Sequence, residues 1–173
     1  MNWRLSHRFD PAACAIADRH YNRQTIGSPQ CAPPGACVVL LGVGDAAPAL
    51  WISSLQKFQM HAWPGTWNCS AFRNEGKVLS STLILEAMAV TRSIWGEPPE
   101  AGMITFINAA KVRKKRDPGR CYRKAGFFPD GYTQECNLLC LRLAGKDMPP
   151  AELPIGATMS MFPVVRRALP VEE

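Results

Sequence analysis

The chain has 173 residues, of which 47% are hydrophobic and 20% are charged, and its formal net charge is +6. This length fits one compact domain, and this composition excludes wholesale disorder. The longest apolar runs are far shorter than the roughly 20 residues of a membrane helix, and the first ten residues lack the apolar core of a secretory signal. We therefore expect a soluble, cytoplasmic protein without a membrane partner.

The first half of the chain predicts one helix followed by three strands. Asp10 suits an N-cap and Pro11 suits the first helical position, so a helix is expected to begin there and to continue to about residue 21. The turn-rich residues between the first two strands indicate a hairpin. The other elements of this half are a proline- and glycine-rich loop over 27–35 and strands over 36–41, 49–54 and 67–72.

The second half predicts a mixed pattern of helices and strands. Ser81 as N-cap and Gly96 at the end bracket an amphipathic helix. A strand over 102–109, a short helix over 118–126 and a final pair of strands complete the pattern. This order favours an α/β or α+β fold in which helices flank a central mixed sheet, with 67–72 and 103–108 as a parallel pair.

The composition changes after Leu143, and this change sets the predicted domain organisation. The last 30 residues are rich in proline and show no clear period. We expect one domain over residues 1–143 and an extended arm or tail over 144–173, which could pack on the body or on a second subunit.

The seven cysteines indicate free thiols. Their number is odd, no Cys-x-x-Cys pair occurs, and the three histidines are dispersed, which excludes a disulfide framework and a zinc site of ordinary spacing. Cys136 and Cys140 alternate with leucines, so both are expected to be small buried residues of a strand.

The positive charge is concentrated in one segment. Residues 111–124 carry a charge of +7, whereas the rest of the chain carries −1. Such a concentration favours a polyanionic partner, a nucleic acid or a phosphorylated ligand, over a merely solvated face. The candidate DNA-binding residues are Lys111, Arg113, Lys114, Lys115, Arg116, Arg120 and Arg123.

A second candidate site lies between the strand at 67–72 and the helix that follows it. Backbone amides at a helix N-terminus can bind an anion, and nearby cations and hydroxyls would add to this. An ordinary strand-to-helix turn with a serine cap would show the same pattern. The residues concerned are Arg73, Asn74, Gly76 and Lys77 in the loop and Ser80 and Ser81 at the helix start.

The segment from Thr105 to Phe127 resembles the second half of the GNAT superfamily of N-acetyltransferases. A strand ending at Asn108 precedes a helix with Tyr122 and Gly126, and the Arg73–Gly76 loop sits where that family holds a pyrophosphate. The resemblance implies a GNAT-like fold, an acyl donor such as acetyl-coenzyme A bound by Arg73, Asn74, Gly76 and Lys77, and Tyr122 as the group that protonates the departing thiolate. A core aromatic is the alternative role for Tyr122.

A narrower set of residues resembles the Mom DNA-modification proteins of phages. The set comprises Asp18-Arg19-His20-Tyr21, the GSPQ loop at 27–30, the pair FRN and LSS at 72–74 and 79–81, and Asn108 with Tyr122. These proteins place a carbamoylmethyl group on the exocyclic nitrogen of adenine and thereby protect phage DNA from restriction. The resemblance implies a site of His20, Tyr21, Ser80, Ser81, Arg73 and Tyr122, with Asn108 at the position of an acid and iron on His20 and Tyr21.

Three functions therefore stay open at this point. The leading hypothesis is a DNA adenine-modifying transferase that acts on double-stranded DNA, as a possible homodimer, in the cytoplasm of a bacterial host if a phage encodes it. The alternatives are a coenzyme A-dependent N-acetyltransferase acting on a small amine or protein, and a DNA-binding relative without catalysis. From the residues alone, His20 is more typical of a polar helix end than of a ligand.

Overall fold

The computed structural model describes residues 1–55, 62–112 and 117–157. Along the chain its strands and helices are β1 (Trp3–Ser6), α1 (Pro11–Asp18), β2 (Cys37–Gly42), β3 (Ala49–Leu55), β4 (Trp67–Asn74), α2 (Ser80–Trp95), β5 (Met103–Ile107), α3 (Arg120–Lys124), β6 (Phe128–Tyr132) and β7 (Leu139–Leu143). Short 3-10 turns lie at Gly44–Ala46 and Gly145–Asp147.

The described strands form one seven-stranded sheet in the order β1-β2-β3-β4-β5-β7-β6. Neighbouring strands are antiparallel except β4 and β5, which are parallel and are connected through α2. The coarse prediction of an α+β fold with a mixed sheet is therefore confirmed, and so are the hairpin of β2 and β3 and the parallel pair.

Each face of the sheet has its own apolar core. On one face α2 packs Leu83 and Met88 against strand residues such as Trp51, all fully buried. On the other face Ile16 of α1 packs against a cluster that includes Ile52. Apolar burial on both faces explains the near-continuous apolar runs of the central strands.

Several local predictions were wrong in instructive ways. Helix α1 ends at Asp18 and does not reach residue 21, although Asp10 caps it as expected by accepting from the Ala12 amide at 2.8 Å. Ser81 is not an N-cap: Leu79 holds that position without a side-chain bond, and Ser80 is already helical.

Strand β1 was not predicted from the sequence, because its short, partly charged run carries little β signal. It is held by long-range contacts instead, among them the Trp3 indole donating to the Leu83 carbonyl at 2.9 Å. All seven cysteines are free thiols, as expected. Cys140 is buried in β7, but Cys136 is exposed in the turn before it, so its predicted burial was wrong.

Residues 144–157 continue along the body of the fold. The Glu152 amide donates to the Ala89 carbonyl of α2 at 3.1 Å, and the Ile155 amide donates to the Trp3 carbonyl of β1 at 2.8 Å. The remainder of the predicted arm, residues 158–173, lies outside the described residues, and the boundary at residue 143 stays a prediction. Within the described ranges, no helix has the length and apolar character needed to cross a membrane.

The turn at Gly44–Ala46 supports the loop between β4 and α2. The Lys77 amide donates to the Asp45 carbonyl at 2.7 Å, and Gly76 lies so close that an added Cβ would stand 2.6 Å from the Ala46 carbonyl oxygen. Backbone atoms at that distance cannot move aside as a flexible side chain would. The loop therefore requires glycine at position 76.

We predict that Gly76→Ala lowers the free energy of unfolding by about 2 kcal/mol, because the new methyl group pushes the loop away from the turn. Urea denaturation measures this. Gly27→Ala is the matched control: its backbone is left-handed with φ of 77°, but the space around it is open, so we expect a cost of only about 1 kcal/mol. Equal costs for both variants would contradict the close approach.

Candidate active site

The parallel strands β4 and β5 pair over only three residues each. Trp67 is opposite Met103 and Cys69 is opposite Thr105, and beyond these the two strands diverge. A cleft of about 870 Å³ lies in the gap, bounded by the first turn of α2 and by α3. Its volume falls within the range of small-molecule sites, roughly 300–1,000 Å³. It is the candidate active site, and we call it the cleft.

Eight of the sequence-predicted site residues line this cleft. Those that do so are His20, Tyr21, Arg73, Asn74, Ser80, Ser81, Arg120 and Tyr122. Among the predicted residues that do not are Asn108, Gly76 and Lys77. The sequence motifs therefore come together in space, although they are spread over about 100 positions in the chain.

His20 and Tyr21 lie between the two diverging strands, and their rings stack with centroids 4.6 Å apart. The His20 ring donates to the Phe72 carbonyl of β4, and its Nδ1 accepts from the Asn22 amide at 3.2 Å. The Tyr21 hydroxyl accepts from the backbone N–H of Asn108, which directly follows β5. This dipeptide thus bonds to backbone groups on both sides of the gap.

Burial and the charge of Arg73 lower the pKa of His20 to about 4, so the imidazole is neutral at neutral pH. A neutral imidazole has one donor and one acceptor, and both are already used. Among the described residues, no group of three or more His, Cys, Asp or Glu side chains could hold a metal ion. The described residues around His20 and Tyr21 therefore do not fit an iron ion.

Tyr122 lies on the inner wall of the cleft. Its hydroxyl is 3.3 Å from the Cys69 sulfur, and the ring is packed edge-on against Phe72 and Phe127. Burial raises the pKa of Tyr122 well above its ordinary value, and burial likewise raises the pKa of Tyr21. Both phenols are therefore protonated at neutral pH and can act as hydrogen-bond or proton donors, but not as bases.

The loop after β4 uses its polar groups within the protein. The Asn74 amide group donates to the Val78 carbonyl at 2.8 Å and to Ser80 Oγ at 3.0 Å, and its oxygen accepts from the Gly76 amide at 2.9 Å. The amide of Lys77 is bonded to Asp45, and its side chain is exposed outside the cleft. The amides of Gly76 and Lys77 are thus unavailable to a pyrophosphate in this structure.

Arg73 takes part in an ion-pair network at the rim of the cleft. Glu75 lies between two guanidinium groups: it pairs with Arg73 and accepts two bonds from Arg19 at 2.8 and 2.9 Å. These bonds lower the pKa of Glu75 to about 2. Two cations and one anion leave this rim with one net positive charge.

The basic segment reaches the opposite rim. Arg120 and Lys124 are exposed and line the cleft, and Lys111 is exposed after β5. Arg123 instead pairs with Asp117 and donates to the Pro118 carbonyl at 3.0 Å, so its charge is partly compensated. The four remaining candidates, Arg113, Lys114, Lys115 and Arg116, lie outside the described residues.

A second cavity, of about 450 Å³, adjoins the cleft, and we call it the side cavity. It lies between β4 and the loop that follows α1, and it shares His20, Asn22, Ser70 and Phe106 with the cleft. Sequence reasoning missed the part of its lining that includes Asn68. A signal was available: Asn68 and Ser70 are polar residues at alternate positions of a strand that is otherwise apolar there.

Comparisons with known proteins give no match for this chain. No protein-family model, curated protein or solved structure matches it.

The lowered pKa of His20 predicts a pH dependence of stability. Below pH 6.5 the unfolded chain binds a proton that the folded protein does not accept until about pH 4, so the free energy of unfolding falls across this window. We expect wild type to lose about 2 kcal/mol more than His20→Gln between pH 7 and pH 4.5.

Urea denaturation at the two pH values measures this difference. The matched control is His7→Gln, since His7 is exposed and lies outside both cavities, and it should behave as wild type does. An unchanged pH dependence in His20→Gln would contradict a buried neutral imidazole.

Proposed function

We propose that the protein is a DNA-modifying transferase that alters adenine bases, as its resemblance to the Mom proteins implies. The observation that carries the proposal is the cleft itself, in which protonated phenols lie at the wall and exposed cations of the basic segment lie at the rim. Such a rim suits a polyanion, and the cleft suits the small group on which chemistry is done.

The rim supports DNA as the polyanion. Arg120 and Lys124 project from the short helix α3, and Lys111 lies on the same connection between β5 and α3. Lysine and arginine contacts to phosphates supply the sequence-independent part of DNA binding. An adenine amino group inside a duplex is paired and stacked, so the base has to leave the stack before it can reach the site.

The first turn of α2 supports a donor with a negatively charged group. This helix has 16 residues and begins at Ser80, and Ser80 and Ser81 line the cleft. The N-terminus of a helix carries partial positive charge, which favours an anion there. The amides of Gly76 and Lys77 are bonded within the protein, so they do not hold a pyrophosphate in this structure. Acetyl-coenzyme A or a related acyl donor therefore stays a prediction.

A second candidate function is DNA binding without catalysis. The hydrogen bonds of the His20 ring and of the loop after β4 favour it, since groups expected to act on a donor or metal instead hold the backbone. The same experiments separate the two candidates.

The proposed activity is tested by expressing the protein in a bacterium with a plasmid, digesting the DNA and analysing deoxyadenosine by mass spectrometry. We expect a modified nucleoside with wild type. We expect at least about tenfold less with Tyr122→Phe, which removes a buried donor from the cleft wall. Tyr132→Phe is the matched control, because Tyr132 is exposed on β6, and it should retain full activity.

An unmodified nucleoside pool from folded wild-type protein would exclude the transferase in that host and leave DNA binding as the function. Full activity in Tyr122→Phe would remove Tyr122 from the chemistry.

DNA affinity tests the rim separately. We predict that Arg120→Glu and Lys124→Glu each weaken binding to duplex DNA several-fold at low salt and reduce the salt dependence of the affinity by about one phosphate contact. Lys146→Glu is the matched control, since it makes the same charge change at an exposed position outside both cavities. An equal loss of affinity in all three variants would indicate an effect of net charge only.

A further inference from the structure

The side cavity contains an unusual hydrogen-bond acceptor. Asn68 is only 5% exposed, and its Oδ1 has no hydrogen-bond partner within the described part of the chain. The other end of the same amide is engaged, because Nδ2 donates to Ser70 Oγ at 3.2 Å. Buried side-chain oxygens are almost always paired, so one that is not deserves an explanation.

Strand geometry keeps Asn68 in this place. It lies in β4 between Ser54 of β3 and Ile104 of β5, in the part of the sheet where all three strands are paired. Ser70 Oγ is bonded in turn to Ser54 Oγ at 2.7 Å. The amide is therefore anchored through Nδ2 in the lining of the side cavity, and its oxygen is buried there without a hydrogen-bond partner among the described residues.

The side cavity carries little uncompensated charge among its described residues. Arg23 bonds to Asp18 at 2.8 Å and to the carbonyls of Gln30 and Ser28 at 3.0 and 3.2 Å, so its guanidinium is satisfied within the loop. His20 is neutral at neutral pH. The remaining polar lining is uncharged, as it is at Thr25. A neutral, polar ligand fits such a lining better than an ion does.

The position of the side cavity next to the cleft further restricts the class of ligand that it could bind. Ser70 and Phe106 line both cavities, so a group in the side cavity lies beside whatever occupies the cleft. Aromatic side chains provide faces or edges against which bases pack. The volume of about 450 Å³ is at the lower end of the range for small-molecule sites.

We propose that the side cavity is the binding site for the flipped adenine base, with Asn68 Oδ1 accepting a hydrogen bond from its exocyclic amino group. This inference rests on the proposed DNA substrate and adds to it the place of the base and the residue that recognises it. Asparagine is well suited to this task, since its amide oxygen accepts from the adenine amino group in many DNA complexes. The charged rim then holds phosphates, and the uncharged cavity holds the base.

The test uses short single-stranded oligothymidylates that carry one central adenine, or one central purine without the amino group. The two probes differ only in the exocyclic amino group of the central base. The thymines add no other exocyclic amino group. Fluorescence anisotropy measures both affinities, and an all-thymine probe gives the binding that is independent of the base. We expect wild type to bind the adenine probe about tenfold more tightly than the purine probe.

Asn68→Leu keeps the size of the side chain and removes the oxygen. We expect it to bind both probes equally, at the level of the purine probe with wild type, and to keep the salt dependence that the rim sets. Its melting temperature should not fall by much, because the substitution removes an unpaired buried acceptor along with one hydrogen bond. Asn68→Ala takes its place if Asn68→Leu does not fold.

Equal affinities of wild type for the adenine and purine probes would overturn the proposal, and so would a preference for adenine that survives in the Asn68 variant. These results are independent of catalysis. A protein that modifies plasmid adenine without this preference would retain the proposed function and lose this site. A protein that shows the preference without modifying DNA would keep the site as a base-recognition pocket of a DNA-binding protein.

Discussion

The divergence of β4 and β5 is the constraint on which the rest of the structure depends. Each strand keeps its outer partner, β3 or β7, along its length, while the inner edges separate after Cys69 and Thr105. Separation leaves inner backbone groups without a strand partner, and such groups need other hydrogen bonds when they are buried. The gap thus creates both a cleft and a demand for polar groups within it.

The His20-Tyr21 pair meets part of that demand. One ring bonds to a β4 carbonyl and the other to the amide that follows β5, so the pair joins the two edges where the sheet no longer does. Burial and the charge of Arg73 keep the imidazole neutral, and this bonding leaves neither of its nitrogens for a metal. His20 and Tyr21, to which the family resemblance assigns a reactive role, thus connect the two strands across the gap in this chain.

Local signals in the sequence were sufficient for elements whose cause is local. Asp10 before Pro11 fixes the start of α1, and Gly96 ends α2, because capping depends on neighbouring residues only. Strand β1 and the end of α1 depend on distant partners, so they could not be predicted. For the site, the motifs identified eight of the cleft-lining residues. They did not identify Asn68 or the side cavity, because no spacing in the sequence reveals that β4 diverges from β5.

The positions of the charges in the structure distinguish a site for phosphates from a site for a base, which the sequence alone does not distinguish. As a number, the +7 segment predicts a polyanion and nothing finer. In the structure, Asp117 compensates Arg123, Glu75 compensates one of two arginines, and Asp18 compensates Arg23. Among the described residues, Arg120 and Lys124 are exposed cations that line the cleft, whereas the side cavity lacks a comparable free charge. Because phosphates require cations and a base requires hydrogen bonds and a flat apolar wall, this separation matches the two ends of a nucleotide.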